Sequence, residues 1–382
     1  MSSESLIPEG ASNQTDVYAV HGADPEVLAY AMAKYSRSAL SMKESLTEIS
    51  AQRAEQFLNT FYFQYGHRSI ADLAHVAFAV ERLSLLAAIV LVDEQRWDGQ
   101  ERSTRYQNFM KSGWYFPDFR SDSASAKLYA ETARNLFAAY ERTTAAVQDA
   151  LRARVVRPEA MKPEAYERTL KARAFDVARY LLPLATNTSL GQIVNARTLE
   201  TQVSRLLSHP MAEVRELGAK LRDAATGAAW NVNAAAGAKF VEKLAEQPEL
   251  AEEAAQLLTR EVRTAPTLVK YAVPNEYLIE TRTLLEQAAR EAMAGAAVAP
   301  APLVDLVERT ESLEVELAAT LLYWGSDYSY RQVRDVVAEL PAQRVEEIIE
   351  IGLHHSGRHD EALRAFHAGA ALRFDILMDV GG

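Results

Sequence analysis

Residues 75–92 read HVAFAVERLSLLAAIVLV, and this stretch joins two kinds of hydrophobic pattern in direct succession. Residues 75–82 place valine and phenylalanine at alternate positions, which fits a β-strand. The run Leu83–Val92 is almost wholly apolar and favours a buried helix, because ten residues are about half of a bilayer span and Ser84 interrupts them. A strand that leads directly into a buried helix predicts a mixed α and β domain.

Alanine- and glutamate-rich segments with helical spacing dominate the rest of the chain, as helix propensities favour. Pro210 predicts a kink or break in one of these helices. The predicted fold class is therefore α+β, mostly helical with a small central sheet, followed by a partial second helical module. Predicted elements are a possible strand at 17–20 and helices starting at Pro25 and spanning 46–62, 123–154, 166–181, 196–225, 240–262 and 276–293.

The clearest linker is residues 295–302, which consist of small residues and prolines. We predict a flexible tail at 1–14, a main domain at 15–294, and a module at 303–382. Residues 315–333 parallel residues 27–45 in their order of helix and aromatic-polar segments, which indicates a partial repeat that looks truncated. Shared composition among alanine-rich helices is the alternative explanation.

The chain has a formal net charge of −11 and no cysteine. The negative charge argues against binding to a nucleic acid polymer, which needs basic surface, but it leaves room for a basic pocket that binds a small nucleotide. The absence of cysteine excludes disulfides, cysteine-ligated zinc and a thiolate nucleophile from this chain, and no metal site is predicted. The polar N-terminal segment does not resemble a signal peptide, and we expect a cytoplasmic protein without membrane contact.

Two clusters contain the chemistry of an anion-binding site. Residues 101–106, ERSTRY, combine a carboxylate, a hydroxyl and a guanidinium, which together can bind a phosphate and the polar edge of a base. Arg197 and Arg205 are two helical turns apart, and His209 follows one turn later. On a continuous helix these three side chains would form a strip that binds an anionic ligand.

Four motifs occur in one order: GHRS at 66–69, ERSTRY at 101–106, RYLLP at 179–183 and NAR at 195–197. In this order and at this spacing the chain resembles the flavin-dependent thymidylate synthases over about residues 15–230. The resemblance implies methylation of dUMP to dTMP with methylenetetrahydrofolate, FAD as the cofactor and NADPH as the reductant. It also implies a homo-oligomer, a tetramer in that family, whose sites are shared among subunits.

The resemblance assigns roles to individual residues. Arg105, Arg179 and Arg205 match residues that would orient dUMP and stabilise charge on its ring, and Arg105 and Arg179 are the predicted catalytic groups. The predicted dUMP-binding set is Glu101, Ser103, Arg105, Arg179 and Arg205. The predicted flavin-binding set is His67, Ser69, Asn195 and His209.

The chain departs from the family pattern where the flavin signature belongs. Asp93-Glu94-Gln95 stands in place of the family's Arg-His-Arg, and Asp72-Leu73 in place of a Glu-His pair. Two acids beside an anionic cofactor are repulsive, so the flavin half of the pattern is weaker than the nucleotide half. Arg96 could compensate if the backbone shifts by one residue. Asp98, Gln100 and Val90 are further departures.

Two functions therefore stay open, namely a flavin-dependent thymidylate synthase and a non-catalytic descendant that binds a nucleotide or a partner chain. Residue by residue, a structural role is the alternative to a functional one. Arg197 and Arg205 could be surface arginines paired with acids, and Glu101 and Arg105 could form a pair at i,i+4. Asp93-Glu94 could be a solvated turn, and His67 and His209 could be structural histidines.

Overall fold

The computed structural model of the protein describes residues 18, 20, 22–34, 41–48, 58, 68–280, 283, 303–308, 312–324, 328–353, 373–376 and 378. The described residues fall into two compact units, one within residues 1–293 and one within 294–382. The tail predicted at 1–14 and the linker predicted at 295–302 lie outside the described residues. So do half of the residues of the strand predicted at 17–20 and large parts of the helices predicted at 46–62 and 276–293.

The first unit is built around an antiparallel sheet of three described strands in the order β1-β3-β2. These strands are β1 (His75–Ser84), β2 (Asp98–Glu101) and β3 (Asn187–Asn195). His75 pairs with Asn195 at one end of β1, and Asp98 pairs with Ile193 at the start of β2. The strand predicted at 75–82 is thus confirmed. Strands β2 and β3 were not predicted.

The predicted fold class, α+β and mostly helical with a small sheet, is confirmed. Among the described residues, two segments form 3₁₀ turns, Arg68–Leu73 and Arg179–Leu181. The α-helices of the first unit are α1 (Pro25–Lys34), α2 (Met42–Glu48), α3 (Leu85–Val92), α4 (Ser123–Arg154), α5 (Pro163–Ala178), α6 (Ala196–Leu207), α7 (Ala212–Thr226), α8 (Ala234–Glu242) and α9 (Pro248–Leu258).

Two predicted helices are each divided in the structure. The segment 196–225 forms α6 and α7, and the break contains Pro210, as the sequence predicts. The prediction of one helix over 240–262 was wrong, because α8 ends at Glu242 and α9 starts at Pro248. Proline is well tolerated at the first helical position, where the missing N–H has no partner to lose, so Pro248 begins a helix there.

The main core lies between the sheet and helices α3, α6 and α7. Ser84 caps α3 through its hydroxyl, which accepts from Ala87 N at 3.0 Å and donates to Glu213 Oε2 at 2.8 Å. Gln202 on α6 is fully buried and donates to Leu91 O, a carbonyl in the last turn of α3, at 2.9 Å. Because an unpaired buried carbonyl is costly, this bond fixes how α6 lies against α3.

A second core holds the segment that follows β2 against the α4–α5 helix pair. Phe109 and Tyr140 are fully buried there, and Tyr140 stacks on Phe175 with ring centroids 6.4 Å apart. Phe137 and Leu182 complete the cluster. The aromatic side chains thereby anchor the loop after β2 onto helix α5.

The second unit contains the strands β4 (Val304–Glu308) and β5 (Arg373–Ile376), which pair antiparallel, and the helices α10 (Leu313–Trp324), α11 (Tyr330–Ala338) and α12 (Ala342–Leu353). Each unit has a helix with a buried glutamate in its first turn, Glu26 in α1 and Glu316 in α10. In each, the next described helix begins at a serine, Ser41 or Ser329, in a capping-box arrangement. The predicted repeat stays a prediction to which these parallels lend support.

None of the described helices is long and apolar enough to cross a membrane. Helix α3, the most apolar of them, has eight residues. Within the described ranges, no three histidine or acidic side chains are grouped closely enough to hold a metal ion.

Candidate functional site

The ERSTRY segment begins at the end of an edge strand and continues as a turn. Strand β2 ends at Glu101, and Arg102 N still donates to Ser189 O of β3 at 2.9 Å. The chain then turns, because Gln107 N donates to Ser103 O at 3.1 Å. The Ser103 hydroxyl accepts from Arg105 N at 3.3 Å. The sheet therefore sets where the turn begins, and the turn presents Arg105 at the surface.

Arg179 lies beside this turn although 75 positions separate it from Thr104. It begins the 3₁₀ turn after α5, and its Nη1 atom is 3.5 Å from Thr104 Oγ1. Its Nε atom is 3.2 Å from Asp176 Oδ1, and its side chain is 19% exposed. The structure thus brings the two predicted catalytic arginines, Arg105 and Arg179, to one region of the surface.

A cleft of about 880 Å³ separates the turn from helix α5. Arg105 is the member of the predicted dUMP-binding set that lines it, together with Asp176, the partner of Arg179. Glu101 and Ser103 precede Arg105 in the chain but do not line the cleft. Helix α5 contributes three basic residues that the sequence analysis did not select, Arg168, Lys171 and Arg173.

Glu101 is partly buried at the end of β2, and this burial raises the pKa of its carboxyl. The neighbouring Thr188 hydroxyl lowers that pKa in part. Glu101 ends β2 and Arg105 lies in the turn that follows, so the two are not on one helix surface and the i,i+4 helix pair that their spacing allowed does not form. It is a carboxyl that a ligand can use as an acceptor near the base of the turn.

Arg102 holds the loop after β2, a role that the sequence analysis did not find. Its Nη1 atom donates to Ser112 Oγ at 2.8 Å, and its Nη2 atom donates to Asn108 O at 2.9 Å. Its guanidinium lies 4.3 Å from the centroid of the Phe109 ring. Arg102 is therefore a positioning residue for the wall of the cleft that contains Arg105.

Arg205 lies in a different place and is already paired. Its Nε and Nη2 atoms donate to Glu94 Oε1 at 3.0 and 2.7 Å, and Nη2 also donates to Val90 O at 2.9 Å. Asp93, Arg205 and His209 line a separate cavity of about 510 Å³. Arg205 and Arg105 therefore do not meet in a common cavity within the described part of this chain.

The strip of Arg197, Arg205 and His209 along one helix does not form. Helix α6 ends at Leu207, before Pro210, so His209 lies in the break between α6 and α7. Its Nδ1 atom accepts from Met211 N at 3.2 Å. The prediction of a continuous strip was wrong because helix α6 ends at Leu207, two residues before His209.

Arg197 and Asn195 have structural contacts of their own. Arg197 Nη2 is 2.7 Å from Asp72 Oδ2, and Arg96 Nη1 is 3.8 Å from Asp72 Oδ1. Asn195 caps α6, because its Oδ1 accepts from Thr198 N at 2.8 Å. Ser69 is exposed in the 3₁₀ turn, and His67 lies outside the described residues. Arg197 and Arg205 thus follow the alternative in which surface arginines pair with acids.

The described residues around Arg205 do not fit an anionic flavin cofactor. A bound pyrophosphate needs forked cationic donors, but the arginine here is bound by Glu94, and Asp93 adds a second acid to the same cavity. Arg96 does not replace a lost donor, since its side chain is 69% exposed and its guanidinium faces Asp72. Arg105, from the predicted dUMP-binding set, lines a different cleft.

A small antiparallel sheet among helices, with a cleft lined by basic side chains beside an edge strand, defines an α+β protein. Residues 19–229 match the family described as Thy1, thymidylate synthase complementing protein, and the chain belongs to this family. The resemblance drawn from the four motifs is confirmed.

Three relatives and one solved structure illustrate the range of this similarity. A UPF0159 protein of Chlamydia pneumoniae is 25% identical over 96% of this chain and 68% of its own length. Another from Chlamydia muridarum is 30% identical over 51% of this chain and 42% of its own length. The flavin-dependent thymidylate synthase of Clostridium tetani is 23% identical over 59% of this chain and 92% of its own length. A crystal structure of flavin-dependent thymidylate synthase ThyX from Helicobacter pylori, complexed with FAD and dUMP, is 16% identical with a TM-score of 0.35, covering 53% of this chain and 89% of that one.

Proposed function

We propose that this chain binds dUMP in the Arg105 cleft and provides the nucleotide-binding half of a flavin-dependent thymidylate synthase. The observation that carries the proposal is the approach of Arg179 to Thr104, which places a second arginine beside the Ser103–Arg105 turn. Membership of the family and a relative named as a flavin-dependent thymidylate synthase support the choice of dUMP.

Arg105 in the cleft, together with Arg179, Ser103 and Glu101 in the segments beside it, suits a nucleoside monophosphate. Two guanidinium groups, Arg105 and Arg179, would bind the phosphate as forked donors, and the Ser103 hydroxyl would add a short donor. Glu101 would accept from a ring N–H or a ribose hydroxyl. Cations fixed beside a pyrimidine ring also stabilise negative charge that develops on it, which is the contribution we propose for Arg105 and Arg179.

The full reaction of that enzyme class methylates dUMP at C5 with methylenetetrahydrofolate and uses FAD and NADPH. Because the residues around Arg205 do not fit the flavin, we propose that this chain takes part in that reaction only within a mixed oligomer that contains a different family member. Another subunit would then supply the Arg-His-Arg residues that this chain replaces with Asp93, Glu94 and Gln95. Tetrameric assembly and a cytoplasmic location stay predictions.

The second candidate function is nucleotide binding, or binding of a partner chain, without catalysis. The ion pair between Glu94 and Arg205 favours it, because that pair neutralises an arginine where an anionic ligand would need one. In this case the chain would bind dUMP and no flavin in any assembly.

Two titrations of the purified full chain test both candidates. Calorimetry with dUMP should show saturable binding, and Arg105→Ala or Arg179→Ala should weaken it about ten- to a hundredfold, since each removes a charge-assisted bond. Arg142→Ala, at an exposed position of α4 outside the cleft, is the matched control. Absence of dUMP binding overturns the proposal.

The visible absorbance of FAD separates the two candidates. We expect no flavin binding by this chain alone, and binding only when a family member with an intact Arg-His-Arg is added. A flavin band that appears in the mixture and is bleached by NADPH with dUMP present identifies a synthase. dUMP binding with no flavin in either case identifies a nucleotide-binding protein without that catalysis.

A further inference from the structure

We infer that the Arg105 cleft contains a second anion-binding subsite on helix α5, formed by Arg168, Lys171 and Arg173. The cleft would then take a ligand, or a pair of ligands, with a second anionic group beyond one phosphate. This inference rests on the proposed function, because it extends the same cleft from the phosphate of dUMP toward α5.

The positions of these residues on α5 place them along the cleft. Arg168 and Lys171 are one helical turn apart, and Ala172 and Phe175 continue the same face and line the same cleft. The Lys171 ammonium lies 5.6 Å from the centroid of the Phe175 ring, so it is held above an apolar floor. Arg173 lines the cleft from the flank of this face.

The charges on the wall are not balanced by acids of the residues that the structure describes. The lining has one acid, Asp176, and Arg179 already binds it. Arg168, Lys171 and Arg173 form no ion pair with an acid of the described chain, whereas Arg152 on the neighbouring helix α4 is paired with Asp149 and Glu167. Like charges one turn apart on a helix repel each other, and a bound anion would offset this repulsion.

The contrast with the whole chain makes this local charge informative. The protein has a net charge of −11, yet one cleft of about 880 Å³ collects four cationic side chains. Such a concentration of one sign in a concave site raises the local potential and attracts ligands of opposite sign. A phosphate dianion bound by Arg105 and Arg179 leaves the three cations of α5 for another anionic group.

The second anionic group would present several negatively charged oxygens to the cations of α5. It could be an additional phosphate on the same nucleoside, or the carboxylates of a γ-glutamyl chain on a second ligand such as a folate. Both present several negative oxygens at the end of a flexible chain, and forked guanidinium groups and an ammonium bind either.

The test compares ligands that differ in this group. Full-length protein is titrated calorimetrically with dUMP and with dUDP, and the dUMP-saturated protein is titrated with tetra-γ-glutamate. We expect dUDP to bind about tenfold more tightly than dUMP, or tetra-γ-glutamate to bind the dUMP-loaded protein, since one additional charge-assisted bond is of this size. The first result identifies a phosphate chain, and the second a glutamyl chain.

Two variants decide whether α5 is responsible. The Arg168→Ala/Lys171→Ala double variant should abolish the additional affinity, so that the ratio of dUDP to dUMP affinity falls to about one and tetra-γ-glutamate no longer binds, and Arg142→Ala should leave both results unchanged. The inference is overturned if neither ligand shows additional affinity, or if the double variant keeps it. If dUMP does not bind at all, inorganic pyrophosphate tests the subsite alone: binding lost in the double variant upholds the subsite and rejects the proposed function, and no binding rejects both.

Discussion

Glu94 and Arg205 are joined by two hydrogen bonds to a single oxygen, since Nε and Nη2 of the arginine donate to Oε1 of the glutamate at 3.0 and 2.7 Å. The side chains are 14% and 30% exposed, respectively. Sequence resemblance assigns Arg205 to a ligand, but in the fold its charge is satisfied by the chain itself. Glu94 stands where the family has a cationic signature. This departure from the family pattern gives Arg205 an acidic partner within the chain.

Substitution Glu94→Gln tests whether this pair occupies an anion site. The variant keeps the size of the side chain and removes its charge, so we expect the free energy of unfolding to fall by about 1 kcal/mol, as for a partly buried pair. The released guanidinium should also give measurable FAD binding, followed by visible absorbance. Glu216→Gln, which breaks an exposed pair with Lys220, is the control and should change stability by less than about 0.5 kcal/mol. Unchanged stability together with no gain in flavin binding would contradict the interpretation.

Substitution Arg179→Lys tests the geometry of the proposed dUMP site. A lysine keeps the charge, but a single ammonium does not span Asp176 and Thr104 as the guanidinium does. We expect dUMP affinity to fall about tenfold with little change in melting temperature, measured by calorimetry and thermal unfolding. Arg142→Lys is the matched control. Wild-type affinity in Arg179→Lys would show that charge alone, without the fork, accounts for this residue.

The pH dependence of stability should reveal the buried carboxyl of Glu101. Burial raises its pKa above the ordinary value of 4.5, so the folded chain holds this proton more tightly than the unfolded chain does. Its contribution to stability is therefore complete below pH 4.5 and is lost as the pH rises through the raised pKa. Glu101→Gln should melt at a higher temperature than the parent at pH 7, and the difference should vanish toward pH 4.5. The exposed Glu246→Gln should show no such trend, and a difference independent of pH would reject the explanation.

Gly218 marks the closest approach of α7 to α6. A Cβ atom there would lie 2.9 Å from Leu206 Cβ and 3.1 Å from Leu207 N, so Gly218→Ala should destabilise the fold by about 1–3 kcal/mol in urea unfolding. Gly191→Ala adds the same methyl to β3, where its nearest neighbour is Phe78 O at 3.8 Å, and should change stability by less than about 1 kcal/mol. Equal effects of the two substitutions would rule out the close contact as the cause.

Local sequence patterns were sufficient to predict several individual elements of the fold. The change of period at residues 75–92 predicted β1 and α3, the helical spacing predicted α4 with its observed ends, and Pro210 predicted the break between α6 and α7. Strand β3 was missed because its sequence, NTSLGQIVN, has no long apolar run and borders two helical segments. Its assignment depends on pairing with β1 and β2, which no local window contains.

The same limit applies to the candidate site. The ordered motifs located the turn at Arg105 and the arginine at 179, but they could not show that Arg205 is paired with Glu94, which lies 111 positions earlier. That pair exists because α6 docks against the end of α3. The basic residues of α5 gave no distinct signal, because arginines and lysines on alanine-rich helices are usually solvated. Only the cleft opposite them makes their position informative.

The pairing of β3 has a consequence for how the chain folds. β1 and β2 both pair with β3 rather than with each other. His75 therefore pairs with Asn195, and Asp98 pairs with Ile193, only once β3 is in place. Helices α4 and α5 lie in the segment between β2 and β3 and form from contacts within that segment. The sheet, in contrast, forms only when the two ends of this segment come together. We therefore expect β3 to pair late in folding, after the α4–α5 helical hairpin has formed, and its pairing with β1 and β2 completes the sheet.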